Sequence, residues 1–383
     1  MKLDVDVAII GGGLVGSSAA LALRGKGLTV TVLDKGFCGA QASGVNYGGV
    51  RRQGRPPEQL PLAQRAHAIW PHVAALIGLD GEYRRTGHLK LARTQAEMAS
   101  LEAYARTAAH FGLNLELLDR KALQQRYGWI SDDAVGGSLS PDDGQANPRL
   151  VATGFAAAAR RAGASVLENT PVLDIMHDGS SFAIEAAQDV RLRARHVINS
   201  AGAWSGPFAA AFGEMVPLSS IYPAMIVTEP VEPVMTVNIG IEGGGIYARQ
   251  VERGNCVIGG ERGAALSDPD FSRPTGEGAV AIMRRAAAFF PALRHAYAIR
   301  CWSGTEGAMP DRNPVIGPST TTPGLIHAFG FSGAGFQIAP AVGEVLAELI
   351  CSGSTSTPIA AFSVSRFTDR AAEGTRVMAE REH

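Results

Sequence analysis

Apolar and polar positions follow two rhythms along this chain, and the first change of rhythm falls close to its start. Residues 5–10 are apolar except for Asp6, a run that predicts a buried strand of a parallel sheet. The run passes into Gly11-Gly12-Gly13-Leu14-Val15-Gly16, and then into Ser17-Ser18-Ala19-Ala20-Leu21-Ala22-Leu23, whose spacing is helical. A second buried strand over 28–33 ends at Asp34. Strand, glycine turn and helix in this order place backbone N–H groups and a positive helix end where a pyrophosphate can sit. An acid closing the second strand can accept hydrogen bonds from a ribose. The opening segment therefore predicts a dinucleotide site.

Helical spacing returns over about 58–77, 95–110 and 148–162, the last with Pro148 in its first turn. Strands are expected over 165–167, 172–175 and 196–199, followed by the small residues Ser200-Ala201-Gly202-Ala203-Trp204. Between about 216 and 302 the pattern becomes short β-branched runs, which predict a mainly antiparallel sheet. A last strand over 325–329 enters Gly330-Phe331-Ser332-Gly333-Ala334-Gly335-Phe336 and a helix over 337–350. The stretch from Gly39 to Arg55 has neither rhythm and reads as a glycine-rich loop, while residues from about 363 read as a charged, partly mobile tail. The expected fold class is α/β. A Rossmann-like domain is drawn from 1–85, 146–215 and 303–383, and an α+β substrate domain with a mainly antiparallel sheet from 86–145 and 216–302.

Composition narrows the function. With 383 residues, 46% of them hydrophobic and 19% charged, the chain can bury a large core. A formal net charge of −1 argues against nucleic acid and against a polybasic membrane anchor. No uninterrupted apolar stretch of membrane-spanning length is expected, and the start does not read as a signal peptide, so a cytoplasmic location is expected. Cys38, Cys256, Cys301 and Cys351 are scattered without metal-ligand spacing, so no metal is expected. Any iron–sulfur cluster in the electron path must belong to a partner subunit.

The second glycine turn, Gly330 to Gly335, points a helix N-terminus above the sheet, where it would stabilise the negative charge of a reduced flavin. Taken with the fingerprint, the 42–52 loop, Asn199 to Ser205 and the segment Trp302 to Gly317, it makes the chain resemble the D-amino acid oxidase family of FAD flavoproteins. That group includes glycine and sarcosine oxidases and the FAD-carrying subunits of multi-subunit opine and D-hydroxyproline dehydrogenases. The loop Ser43-Gly44-Val45-Asn46-Tyr47-Gly48-Gly49 looks most like the multi-subunit group. The resemblance implies a glutathione reductase-like FAD domain and oxidation of a C–N bond beside a carboxylate, with hydride passing to flavin N5 and the imine hydrolysing in water. It implies non-covalent FAD, because Cys301 lies well before Pro310-Asp311. It also implies partner subunits carrying an iron–sulfur cluster or another electron acceptor, through which the protein would lie at the inner membrane.

The cofactor set expected from these motifs is Gly11, Gly13, Leu14, Val15 and Gly16, then Asp34 and Lys35. The loop adds Ser43, Gly44, Asn46, Gly48 and Gly49, and the sheet top adds Val172, Ala201, Gly202 and Trp204. Gly330, Ser332, Gly333, Gly335, Phe336 and Gln337 complete it. The substrate set is Arg51, Tyr247, Arg249 and Glu306. Arg51 suits a carboxylate. Glu306 stands where glycine oxidase-like members place an arginine, and is expected to meet either a cationic part of the substrate or an internal partner such as Arg249 or Arg51. Hydride transfer from a neutral amine asks for orientation more than for a strong side-chain base, so no catalytic base is assigned. Two other readings stay open: a 2-hydroxy acid dehydrogenase of the same fold, and a non-catalytic flavin or assembly subunit of a dehydrogenase complex.

Overall fold

A computed structural model of the protein describes residues 2–267 and 270–367. Two eight-stranded sheets organise it. In the first, six strands run in the order Val315–Pro318, Leu325–Phe329, Val190–Asn199, Lys2–Ile10, Val30–Leu33, Ser165–Leu167, and two more, Phe182–Ala186 and Val172–His177, branch antiparallel from Val190–Asn199. Lys2–Ile10 lies parallel to both Val190–Asn199 and Val30–Leu33, so its carboxyl end at Ile10 opens at the sheet's top edge beside Asn199 and Leu33. Val30–Leu33 is buried throughout, as its unbroken apolar run requires. The strand expected at 196–199 is the end of the ten-residue Val190–Asn199. Its first half alternates buried and exposed because only one face is covered there.

The helix Leu14–Gly25 packs beneath this sheet against Gly335–Ser352 and Pro148–Arg161. Its close approach to Gly335–Ser352 rests on Gly343, where a Cβ would come 2.3 Å from Ser18 Oγ. By length and composition Gly335–Ser352 is apolar enough to cross a membrane, but most of it lies buried among these helices.

The second sheet has the order Ala298–Ser303, Pro223–Pro230, Asn255–Arg262, Tyr247–Gln250, Asn238–Ile241, His88–Ala92, Gly136–Ser140, Glu116–Asp119. It is antiparallel except for one pairing, Asn238–Ile241 with His88–Ala92, where chain segments distant in sequence meet. The helix Gly276–Phe289 was hidden by the β-branched character of its surroundings. Thr275 caps it, its hydroxyl accepting from Gly278 N–H, and Ile282 and Ala286 join the sheet's apolar core.

Two expectations need correction. The 39–55 segment is not wholly irregular: it contains a short helix, Ala42–Val45, and a strand, Gly49–Val50, paired with Gly144–Gln145. Polar glycine-rich sequence hid both because their order comes from tertiary contacts. The tail expected from about 363 begins as core, since Val364 and Phe367 are buried with Met309, Val315 and Phe329. Its charged remainder beyond 367 lies outside the described residues.

Candidate active site

The glycines of the fingerprint are used as their spacing suggests. Gly11 has φ +104°, and a Cβ there would lie 2.4 Å from Ser200 O. A Cβ at Gly16 would lie 2.0 Å from Gly11 O, so Gly16 lets helix and strand meet and stands behind the site rather than in it. Leu14 N–H, in the first turn of the helix, donates to Ser43 Oγ at 2.8 Å, joining the phosphate turn to the glycine-rich loop. Asp34 accepts from Gly12 N–H at 2.7 Å and Gly36 N–H at 2.8 Å, which holds its carboxylate at the groove with lone pairs to spare for a ribose.

From this groove a cavity of about 1580 Å³ runs across the molecule to the second sheet. It exceeds the roughly 300–1,000 Å³ of a site for one small ligand. Gly13, Val15, Lys35, Asn46, Gly49 and Val172 line it, with Ala201, Gly202 and Trp204 farther along the sheet top. Gly330, Ser332, Gly333, Gly335 and Phe336 form its inner wall. The turn there is left-handed at Gly330 (φ +73°), Ser332 (φ +50°) and Gly333 (φ +83°), and Ser332 holds it by accepting from Met309 N–H at 2.9 Å. Thr305 Oγ1 and Tyr47 Oη belong to lining residues and have no hydrogen-bond partner among the described residues. A phosphate-ready helix end, glycine floors without room for Cβ atoms and unsatisfied hydroxyls are what a flavin dinucleotide would complete.

Five expected residues serve from outside this wall. Gly16, Gly44 and Gly48 permit close backbone packing: Cβ atoms at Gly44 and Gly48 would lie 2.2 Å from Gly39 O and 2.3 Å from Ala146 O. Gln337 points its amide into the protein, donating to Ala63 O at 2.9 Å, because the helix turns that side chain toward the core. Arg249 does not reach the cavity either. Its guanidinium donates to Tyr47 O at 2.6 Å and Gln145 Oε1 at 2.9 Å, so it buttresses the 47–48 backbone.

At the second-sheet end, Arg51, Tyr247 and Glu306 all line the cavity. The Tyr247 ring packs edge-on to Tyr47, with centroids 4.9 Å apart, and lies over Gly259, where a Cβ would come 2.3 Å from the ring. Arg52, next to Arg51, faces away and is held by Asp143, which also accepts from the backbone of Arg52 and Gln53 at 3.0 Å each. Arg51 donates to Gln53 O and Arg55 to Gly333 O and Arg51 O, yet among the described residues neither guanidinium has a carboxylate within ion-pair distance. Burial, aided by Arg312, weakens the hold of Arg51 on its proton, and burial and the Arg51 charge bring Arg55 down to about 9. Arginine nevertheless stays charged in proteins, so the pair forms a positive field that the Asp143 carboxylate, itself bonded to Arg52, offsets only in part.

Glu306 accepts from Gly333 N–H, and among the described residues it is paired with neither Arg249 nor Arg51. Withdrawal from water raises its pKa above the ordinary carboxylate range, against the opposing pull of Gly333 N–H, Arg55 and Arg262.

Sequence reasoning missed Arg55, although Gly54 (φ +74°) and its position one turn past Arg51 marked it as part of the same loop. It also missed Asp270, whose carboxylate meets Lys35 Nζ and Trp204 Nε1 at 2.5 Å each, while Lys35 Nζ stands 3.7 Å over the Trp204 ring. No local pattern announces that contact, which ties the chain just ahead of Ser272–Arg273, a strand of a separate two-stranded sheet, to the nucleotide end.

The sequence profile of the DAO family, FAD dependent oxidoreductase, matches residues 6–349. The chain belongs to this family. Glycine oxidase of Geobacillus kaustophilus is 29% identical over 375 residues, covering 94% of this chain and 97% of that protein. The B subunit of opine oxidase from Rhizobium meliloti is 27% identical, covering 97% and 100%. The solved structure of L-proline dehydrogenase from P. horikoshii superposes with a TM-score of 0.88 at 26% identity, covering 96% of this chain and 99% of that one. The fold is thus that of the FAD-dependent oxidoreductases, with FAD as the cofactor that the long cavity fits.

Proposed function

We propose that this FAD-dependent oxidoreductase oxidises the C–N bond of an amino acid-like substrate, with a secondary amine of opine, N-alkyl glycine or hydroxyproline type favoured. Bound FAD supplies a two-electron acceptor. The protein supplies placement. Arg51 and Arg55 bind the substrate carboxylate bidentately, Tyr247 forms part of the wall beside Tyr47, and Glu306 receives the nitrogen. Enclosure excludes water, which strengthens each of these contacts.

One observation carries this reading: Arg51 and Arg55, without an ion-pair partner among the described residues, line the same cavity as Glu306, a carboxylate without one, and Arg262 and Arg312 add to the positive lining. A zwitterion with its carboxylate and ammonium one carbon apart complements that arrangement. A 2-hydroxy acid would leave Glu306 without a positive partner. The relatives' names support the same chemistry, since they include glycine oxidase, opine oxidase and the beta subunit of sarcosine oxidase. Subunit names among them support partner subunits that take up the electrons, and the scattered cysteines favour such a partner as the carrier of any iron–sulfur cluster. We also infer that the FAD is held without a covalent bond and that the protein resides in the cytoplasm, reaching the inner membrane only through partners.

The test is an anaerobic screen of amino acids, N-methyl amino acids, hydroxyprolines and opines against the purified protein, read as loss of the oxidised flavin absorbance. Bleaching by a secondary amino acid supports the proposal. Bleaching only by 2-hydroxy acids contradicts it.

A further inference from the structure

We infer that Glu306 is a proton acceptor: it removes a proton from the substrate ammonium, so that a neutral amine faces the site of oxidation. The inference rests on the C–N oxidation proposed above. A hydride can leave the substrate carbon only if the nitrogen lone pair is free to form the C=N bond, and an ammonium has no such pair. Free α-amino groups and alkyl amines hold their proton to about pH 8–10, so at neutral pH the substrate arrives protonated.

The cavity supplies what removal of that proton needs. Glu306 lines the cavity and its Oε1 is held by one donor, Gly333 N–H, while no donor among the described residues holds its other oxygen. The groups that face it from each neighbouring element are Arg55 from the glycine-rich loop, Arg262 from strand Asn255–Arg262 and Tyr247 from strand Tyr247–Gln250. The residue paired with it in strand Ser219–Ile221 is Ile221, which does not titrate. Two of these three groups are cations, and Arg51 and Arg312 add further positive charge to the same cavity. Their field opposes a positive charge on the bound nitrogen and, before the ligand arrives, holds Glu306 as the carboxylate that can accept a proton. Enclosure away from water at the same time favours a neutral carboxyl over a carboxylate.

The step balances without a further reagent. One N–H bond of the ammonium breaks, its electron pair stays on nitrogen, and the proton bonds to Glu306 Oε2. A buried ammonium–carboxylate pair becomes a neutral amine beside a neutral carboxylic acid. The substrate carboxylate stays charged on Arg51 and Arg55. The geometry also explains why an acid replaces the arginine expected at this position: with Arg51 and Arg55 already holding the carboxylate, the position is freed for proton chemistry.

The distinguishing measurement is the pH dependence of binding of an amino acid that carries no hydrogen on its α-carbon, such as 2-methylalanine or isovaline. Neither has a hydrogen on a carbon bonded to nitrogen, so neither can be oxidised. Titration calorimetry on flavin-loaded wild type and Glu306→Gln, between about pH 6.5 and 8.5, reads it directly. Wild type passes the ligand proton to Glu306 and should bind with near-constant affinity. Glu306→Gln must take the rare neutral-amine form from solution, so its affinity should rise about tenfold per pH unit. Glu306→Asp should restore the flat profile at reduced affinity. Parallel profiles in wild type and Glu306→Gln would overturn the inference, whether the variant binds weakly or well, because Glu306 would then be only a charge partner. If neither protein binds these ligands and no amino acid bleaches the flavin, it is the proposed C–N oxidation that fails. Flavin absorbance per protein, measured in each variant, confirms that the fold and cofactor are retained.

Discussion

Arg55 and Glu306 hold opposite sides of one residue: Arg55 Nη1 donates to the Gly333 carbonyl at 3.3 Å, and Gly333 N–H donates to the Glu306 carboxylate. A cation and an anion are thereby fixed one peptide apart, at the mouth of the helix Gly335–Ser352 and facing the same cavity. Replacing either arginine by methionine keeps bulk and removes charge. Arg51→Met and Arg55→Met should each lower kcat/KM by about 30- to 1000-fold, with flavin retained, as loss of a charge-assisted substrate contact costs on the order of 2–4 kcal/mol. A loss below about threefold in both variants would show that they do not recognise substrate.

The neighbouring Arg52 provides an internal contrast. Its pairing with Asp143 at 3.0 Å is buried and holds the 51–53 backbone. Asp143→Ala should therefore destabilise the protein by roughly 3–5 kcal/mol, since it strands a buried guanidinium. Urea unfolding measures this. An unchanged midpoint would mean that the loop is positioned by other contacts.

Asp34 should be required for cofactor retention. Removing it frees the Gly12 and Gly36 N–H groups and deletes the acceptor at the ribose end. Asp34→Ala is expected to weaken FAD binding by about 150-fold or more, through at least two charge-assisted hydrogen bonds of about 1.5–3 kcal/mol each. Acid precipitation of wild type should release all of the yellow colour. Colour remaining in the pellet would show a covalent bond.

The buried pair His327 Nε2 and Glu214 Oε2, 2.7 Å apart, is structural, and it predicts an acid-labile part of the stability. Burial alone would raise the Glu214 pKa, but His327, Thr320 and Ser319 outweigh it and bring it to about 2, from an ordinary 4.5. A folded-state value below the unfolded one gives stability that is present above about pH 4.5 and lost as pH falls toward 2. Glu214→Gln should cost on the order of 3 kcal/mol at pH 7 and about 1 kcal/mol near pH 3. A cost that does not change with pH would contradict the charge-based account.

Much of this was readable from the chain, and the rest was not for physical reasons. Gly11 to Gly16, Asp34 and the 330–335 turn are local devices, in which sequence neighbours create the geometry, so spacing alone exposes them. Arg249 and Gln337 sit beside true lining residues, and only the strand's and helix's partners decide which way they point: Arg249 to Tyr47 and Gln145, Gln337 to Ala63. Asp270 meets Lys35 and Trp204, residues far from it along the chain, a contact with no signature in any window of sequence. The short helix Ala42–Val45 is likewise too brief to show a period. Arg55 was legible in principle and overlooked.

The likeness of the 43–49 loop to multi-subunit dehydrogenases, together with the subunit names among the relatives, predicts slow turnover with oxygen. At saturating substrate, an artificial dye or a partner subunit should accept electrons faster. Peroxide formed as fast as dye is reduced would make the protein an oxidase and leave the C–N chemistry unaffected.

Oxidation of a C–N bond beside a carboxylate is decided by anaerobic mixing of the flavin-loaded protein with one equivalent of the best secondary amino acid from the screen, followed by product analysis. Full bleaching is expected, with one 2-oxo acid and one amine released per flavin, or the cyclic imine where the substrate is a ring. Flavin that stays oxidised with every amino acid, yet bleaches with a 2-hydroxy acid, would contradict C–N oxidation.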